Sequence, residues 1–245
     1  LDYPKEKLRI HLLDDAGTDQ KINAENPVSA ATAKQRRQDL QALCKRWFIT
    51  YGARAKNEIN MAGNVNSAIQ NTTGDLIVIL DADHVPTSDF LDRTVPWMLK
   101  NEKVFLVQTP HFMANPDPVE RNYFSAFTRM PSENDMFYGT IQKGLDYWGS
   151  SFFCGSAALM RRKHLDLVGG ISGHSITEDA ETALDLHKMG YESVYVDRPM
   201  VSGLAPETFD AFIQQRMRWA QGMTQILLLK KPFKAQGLKW YQRVG

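Results

Sequence analysis

Gly74-Asp75-Leu76-Ile77-Val78-Ile79-Leu80-Asp81-Ala82-Asp83 decides the fold. A glycine break is followed by five apolar residues without alternation, then by an acidic turn. A run that short and that uniformly apolar is the pattern of a strand buried on both faces of a largely parallel sheet. Outward from it, strand-like and helix-like segments alternate. Upstream, residues 7–13 predict a strand that delivers Asp14-Asp15 to its carboxyl end, 18–30 a polar loop, 31–46 an amphipathic helix, 48–51 a short strand and 63–70 a helix. Downstream, 88–100 predicts a helix, 104–109 a strand, 110–118 an irregular Pro-rich stretch, 119–145 a mostly helical segment rich in aromatics and Met, and 151–160 a small-residue strand. A short helix at 164–168, a helix at 177–189 capped by Thr177 and stopped by Gly190, a strand at 193–196 and a long helix at 207–229 complete the series. Repeated strand-then-helix units predict an α/β fold with a mixed, mostly parallel central sheet flanked by helices. With no low-complexity linker and no repeat, the expectation is one domain over 1–245.

The bulk composition narrows the function classes. Lys plus Arg number 29 against 28 Asp plus Glu, so no basic surplus points to nucleic acid and anion recognition has to be local. The two cysteines, Cys44 and Cys154, lie far apart with no CxxC spacing, which argues against a disulfide framework and for a reducing, cytosolic setting. No stretch approaches the ~20 apolar residues that span a bilayer. The chain opens Leu1-Asp2-Tyr3-Pro4-Lys5, with neither an initiator Met nor a signal peptide, and is expected to be a piece of something longer.

Four motifs carry the chemistry. Ligands in open α/β sheets sit beyond the carboxyl ends of strands, where both Asp14-Asp15 and Asp81-Ala82-Asp83 are expected. Asp81 and Asp83 are spaced to share a divalent cation whose coordination is completed by phosphate and water, as Mg²⁺ prefers. A lone Asp-Ala-Asp also fits a strand followed by an N-cap. Thr177-Glu178-Asp179 opens a helix, which by itself can be only a cap favoured by the dipole, but a carboxylate there can take a proton from a hydroxyl. Gln215, Arg218 and Trp219 share one helical face; Arg offers bidentate contact to phosphate, Trp a flat face for a sugar ring, while an isolated Arg-Trp pair is also what a helix packing on a core presents. Phe152-Phe153-Cys154-Gly155-Ser156 turns from apolar to small, with Cys154 most simply a buried thiol, and the small residues leave room for an approaching polymer. The six histidines form no metal-ligand pattern, and His84 is placed behind the metal rather than on it.

Taken together, Asp14-Asp15, Asp81-Ala82-Asp83, Phe152-Phe153-Cys154-Gly155-Ser156, Thr177-Glu178-Asp179 and Gln215-Arg216-Met217-Arg218-Trp219 resemble the processive family 2 glycosyltransferases, nearest to the bacterial cellulose synthase catalytic subunits. Residues 107–112, 115–118 and 134–139 are similar to that subfamily as well. The resemblance covers nearly the whole chain. It implies a GT-A fold, incomplete at both ends, and a metal-dependent, single-step inverting transfer of glucose from UDP-glucose to the 4-hydroxyl at the non-reducing end of a growing β-1,4-glucan; curdlan-type β-1,3-glucan synthases share the separate motifs. It further implies nucleotide contacts from Asp14, Asp15, Asp81, Gln215 and Arg218, and Mg²⁺ or Mn²⁺ held by Asp83. Asp179 is then the base, flanked by Thr177 and Glu178, and the acceptor path is lined by Trp219, Cys154, Phe153 and Gly155. The implied setting is the cytoplasmic face of a bacterial inner membrane, with 207–245 a helical segment at the membrane interface, the parent protein spanning the membrane, and other cellulose synthase subunits as partners.

The chain departs from the family pattern in places. The family usually reads Asp-Asp-Gly-Gly, and here Ala16 stands in place of the first Gly, before Gly17; Met61, in Ile59-Asn60-Met61-Ala62-Gly63-Asn64, stands where the family carries the lysine that meets the diphosphate. Two other classes share parts of the pattern. One is a non-catalytic glycosyltransferase-like piece, disabled by Met61 and its missing ends. The other is a haloacid-dehalogenase-like phosphatase with Asp81 as nucleophile and Asp83 as acid/base, which Thr177-Glu178-Asp179 at a helix start does not fit.

Overall fold

A computed structural model of the chain describes residues 1–58, 60–123 and 132–243, with the backbone alone at 60, 122 and 123. The chain divides into two compact units, Pro4–Gly74 and a larger one formed by Leu1–Tyr3 with Asp75–Gly245.

The smaller unit runs β1 (His11–Leu13), α1 (Asp19–Ile22), α2 (Pro27–Trp47), β2 (Thr50–Gly52) and α3 (Asn60–Gln70), with β1 and β2 paired in parallel from His11 opposite Thr50. Residues expected as loop between 18 and 30 contain both α1 and the start of α2. Thr18 caps α1 by accepting from the Lys21 N–H, and Asn26 caps α2 by accepting from the N–H groups of Val28 and Ser29 ahead of Pro27 in the first turn. This is an N-terminal signature that the search for apolar spacing passed over. At the other end Phe48 closes α2 in the left-handed region, at φ 56°, so the following strand starts at Thr50 rather than at 48.

The larger unit begins with the deciding stretch, which forms β3 (Leu76–Ile79). It continues through β4 (Val85–Pro86), α4 (Phe90–Lys100), β5 (Val104–Gln108), β6 (His111–Met113), α5 (Pro118–Tyr123) and α6 (Glu133–Met136). After a π-helical turn, Phe137–Gln142, come α7 (Lys143–Tyr147), β7 (Ala158–Arg161), α8 (Arg162–Leu167), α9 (Glu178–Lys188), β8 (Glu192–Tyr195), β9 (Val201–Gly203) and α10 (Phe209–Lys230). Four strands form the main sheet in the order β3-β7-β5-β8: β7 is antiparallel to both neighbours and β5–β8 is parallel. A smaller sheet, β4-β9-β6, pairs β9 antiparallel to β4 and parallel to β6. The sheet is therefore mixed, as expected.

The strand buried on both faces is β5, every residue of which is inaccessible, whereas Leu76, Ile77 and Val78 of β3 are half-buried because β3 has β7 as its single partner among the described residues. Phe90, Met98, Phe105, Leu106, Met160 and Leu186 form the heart of the core. The predicted strand at 151–160 is regular only from Ala158, and the region expected to be irregular after 110 contains β6. Of the helical segment expected at 119–145, residues 124–131 lie outside the described residues.

Candidate active site

The Asp81-Ala82-Asp83 turn leaves the carboxyl end of β3 with both carboxylates exposed. The Asp81 N–H donates to Ser156 Oγ at 2.9 Å, and Asp83 Oδ2 accepts from the Leu204 N–H at 3.2 Å, which anchors the turn between the loop before β7 and the end of β9. Crowding by surrounding protein raises the Asp81 carboxyl above its ordinary value even though one side is open; neighbouring Asp83 adds to the rise, while His84 and Arg218 oppose it. Two carboxylates on one open turn suit a divalent cation with few protein ligands and the rest of its shell supplied by diphosphate and water. No group of three or more His, Cys, Asp or Glu side chains is arranged around a common point among the described residues.

Thr177-Glu178-Asp179 does open a helix, but not through the cap expected. The Thr177 side chain makes no capping bond, and its buried Oγ1 has no hydrogen-bond partner. α10 presses on it instead: a Cβ at Gly222 would lie 2.6 Å from Thr177 Cγ2 and Oγ1, so a glycine in the middle of α10 is what allows the two helices to approach. Asp179 Oδ1 accepts from the Ala180 N–H at 2.8 Å, and Oδ2 points toward Gly155, 3.5 Å from where a Cβ would stand. Burial, reinforced by Glu178 and Asp81, pushes the Asp179 carboxyl up to about 7. Glu178 is also raised, by burial first, with Arg218 opposing. Asp81 and Glu178 thus feel Arg218, and Asp179 feels both of those carboxylates, through their charges.

Arg218 is exposed and has no hydrogen-bond or ion-pair partner among the described residues, leaving its guanidinium open to an anion. The arginine engaged by protein is Arg216, which pairs with Glu133 at 2.7 Å, contacts Gln215 Oε1, and lies over the rings of Phe212 and Trp219 at 4.1 and 4.6 Å. Trp219 therefore has one ring face in contact with a guanidinium and is 41% exposed. Phe153, expected on the acceptor path, is fully buried, a core ring that an acceptor cannot reach; the accessible side chains of that loop are Phe152 and Cys154. The Cys154 thiol accepts from Gln142 Nε2 at 3.2 Å, and burial, then Asp179, pushes it well above the ordinary thiol range, so it is an inert wall rather than a nucleophile. Tyr138 and Gln142, four apart on the π-helical turn, both face this thiol. Neither was among the expected site residues: Tyr138 falls in the 134–139 stretch that resembles the subfamily, and Gln142 lies beyond it in the segment expected to be helical.

In the smaller unit Asp14 is buried and saturated, accepting from Tyr51 Oη at 2.9 Å, Arg36 Nε at 3.2 Å and the Ala16 N–H at 3.0 Å. Burial would raise its carboxyl, but these donors outweigh it and hold it below the ordinary range. Asp15 pairs with Arg54 at 2.8 Å. Ala16 is not in the left-handed region, so its backbone makes no demand for glycine. Met61 is half-buried in the first turn of α3.

A mixed α/β core with an acidic turn at a strand end, a half-buried carboxylate at a helix start and an exposed arginine whose charge acts on Asp81 and Glu178 defines a nucleotide-sugar transferase of the GT-A class. Residues 76–244 match the family described as glycosyl transferase family group 2, and the chain belongs to it. It is 42% identical over 244 residues to the UDP-forming cellulose synthase catalytic subunit of Pseudomonas fluorescens, covering all of this chain and 30% of that protein. The corresponding subunit of Xanthomonas axonopodis pv. citri is 40% identical, with 31% of its length covered. The chain thus spans under a third of the length of these relatives. Among solved structures, the mannosyltransferase PcManGT from Pyrobaculum calidifontis, in complex with GDP-Man and Mn²⁺, matches 93% of this chain and 56% of its own at a TM-score of 0.60 and 22% identity. S. aureus TarS 1-349 in complex with UDP matches 99% and 61% at a TM-score of 0.57 and 12% identity. These likenesses establish the fold; the phosphatase reading has no place in it.

Proposed function

We propose that the chain is the glycosyltransferase domain, over 1–245, of a UDP-forming cellulose synthase, transferring glucose from UDP-glucose to the 4-hydroxyl ending a β-1,4-glucan. The observation that carries this reading is the Asp179 carboxyl, pushed up to about 7 and directed at the Gly155 side of the small-residue loop while Arg218 stays open to an anion. A base with that affinity for protons is matched to a hydroxyl near neutrality. In the reaction Asp179 takes the proton of the acceptor 4-hydroxyl, the oxygen attacks the glucose anomeric carbon from the face opposite the diphosphate, and the bond to the diphosphate breaks with its electron pair leaving on UDP. Arg218 and Gln215 hold the diphosphate, with Asp81, whereas Asp14, buried and already accepting three hydrogen bonds, supports the fold of the smaller unit. Trp219, Cys154 and Gly155 border the acceptor. Mg²⁺ or Mn²⁺ on Asp83, when bound, stabilises negative charge on the leaving group.

No helix among the described residues is long and apolar enough to cross a membrane. The exposed Phe209, Ile213, Met217, Met223, Leu227 and Leu228 of α10 support the proposal that 207–245 lies at a membrane interface, on the cytoplasmic face, with the parent protein spanning the bilayer beside other synthase subunits. Met61 supports a second reading, a domain that keeps the fold with weakened donor binding, because the family resemblance calls for a lysine at that position. The test is transfer from labelled UDP-glucose by the complete parent protein. Glucan digestible by a β-1,4-glucanase supports the proposal; a product digested only by a β-1,3-glucanase, or no product, refutes it.

A further inference from the structure

We propose that Ser156 is a positioning residue for transfer, its hydroxyl tying the donor-side turn at 81–84 to the acceptor-side loop at 152–155. The inference rests on the glucosyltransferase reading of this site and adds to it a residue that holds the two substrates in register.

Ser156 is fully buried, and its Oγ lies between two groups of the acidic turn. It accepts from the Asp81 N–H at 2.9 Å and stands 2.6 Å from His84 Nδ1. A hydroxyl can accept twice and donate once, so Oγ bonds the Asp81 N–H and His84 Nδ1 at the same time and ties the ring to the turn. The far side of the His84 ring is shut by β9: a Cβ at Gly203 would fall 2.2 Å from His84 Cδ2, closer than atoms can approach. The next residue, Leu204, holds Asp83. The turn is therefore gripped on one flank by Ser156 and on the other by Gly203 and Leu204.

The loop that presents Ser156 is held under strain. Gly155 has φ 81°, and Ala157, a buried residue with a Cβ, has φ 53°, so left-handed positions bracket the serine. Fully buried Gln108 fixes this shape, donating from Nε2 to the carbonyls of Ser156 at 2.9 Å and Ala157 at 3.3 Å, and accepting on Oε1 from the Cys154 N–H at 3.0 Å. His111, kept neutral by burial, donates from Nε2 to the Ser156 carbonyl at 3.0 Å. A conformation that is costly by itself persists where its surroundings over-determine it, and such sites favour pre-organisation. The same loop bears Cys154 and Gly155 against Asp179, so one hydroxyl joins the wall around the base to the turn beneath the metal and donor.

The complete parent protein, given labelled UDP-glucose and Mg²⁺, yields two products from one donor: glucan by transfer and free glucose by transfer to water. Loss of register spoils the first more than the second. Ser156→Ala is expected to lower the ratio of transfer to hydrolysis about tenfold or more, with UDP affinity within about twofold. A fold defect that merely removes active molecules lowers both products equally and leaves the ratio alone. His84→Asn, which restores a hydrogen-bonding amide atom near the position of Nδ1, is expected to keep the ratio, and His84→Gln, whose amide lies at the Nε2 position, to reproduce Ser156→Ala. An unchanged ratio in Ser156→Ala, or His84→Asn falling as far as His84→Gln, overturns the positioning role while transfer by the unmodified protein still stands. No transfer by the unmodified protein removes the glucosyltransferase reading and this role with it.

Discussion

Glu181 follows the proposed base by two residues on α9, and it is the best-held buried carboxylate of the larger unit. None of its side chain reaches solvent. Lys230, at the end of α10, reaches Oε1 at 2.9 Å and also meets Asp185 at 2.6 Å; His174 Nδ1 lies 3.1 Å from Oε1, and the Ser175 N–H donates to Oε2 at 2.8 Å. Burial would raise this carboxyl, but hydrogen bonds from Lys230, Ser172 and Ser175 outweigh it and bring it from 4.5 down to about 2. That displacement corresponds to about 3 kcal/mol in favour of the folded state, and screening so close beneath the surface trims it to about 2–3 kcal/mol. Because the folded carboxyl is the stronger acid, the contribution is complete above 4.5 and is lost as pH falls through about 2. Glu181→Gln should therefore cost about 2–3 kcal/mol at neutral pH and about half that near pH 3. Lys230→Met, which strands the carboxylate unpaired, should cost more, roughly 3–5 kcal/mol. Urea unfolding of the chain, followed by tryptophan fluorescence at several pH values, measures both. A Glu181→Gln penalty that is absent at neutral pH, or that keeps its full size down to pH 3, would refute the reasoning.

Asp179→Asn should abolish transfer by the parent protein while leaving UDP affinity within about threefold; lost UDP binding would make Asp179 a nucleotide or fold residue. Since Asp179 titrates at about 7 and acts deprotonated, the transfer rate should rise with pH through that value. The folded state retains a proton that the unfolded chain loses between 3.8 and about 7, so Asp179→Asn should be more resistant to urea than the unmodified chain at pH 8 and equal to it near pH 4. Met61→Lys should tighten UDP binding by a charge-assisted contact worth roughly 1.5–3 kcal/mol, and an unchanged calorimetric affinity would show that residue 61 does not face the diphosphate. Gly222→Ala improves helix propensity by about 1 kcal/mol but drives a methyl into Thr177, so a net loss of about 1–3 kcal/mol in unfolding free energy is expected; a gain would mean that α10 can withdraw from Thr177 freely.

The alternation of apolar runs and amphipathic segments made the α/β class readable, because buried strands and half-buried helices impose different periods on the chain. β3 was legible for that reason, yet its apolar run overstated its burial, since periodicity cannot count how many neighbours a strand has. β4, β6 and β9 escaped notice: they are two or three residues long, and their pairing across distant segments leaves no local pattern. At the site, carboxylates at strand and helix ends were visible because their types and positions are unusual. Helical spacing set Arg218 on the face of Gln215 and Trp219, but the ion pair that engages Arg216 with Glu133 is a tertiary contact that one helix does not display. Phe152 and Phe153 are equally apolar in sequence, and only packing shows that the second belongs to the core. Ser156, Gln108 and Gly203 matter through hydrogen bonds and close approach to partners 46 to 119 positions away, which no single stretch of sequence displays.

Calorimetric titration of UDP into the chain, with Mg²⁺, with EDTA, and into Asp83→Ala, tests most directly whether this site holds a metal-bound nucleotide. Binding that needs the metal and disappears in Asp83→Ala is the predicted result. Binding indifferent to EDTA and to Asp83→Ala, or no binding by a folded chain, would contradict it.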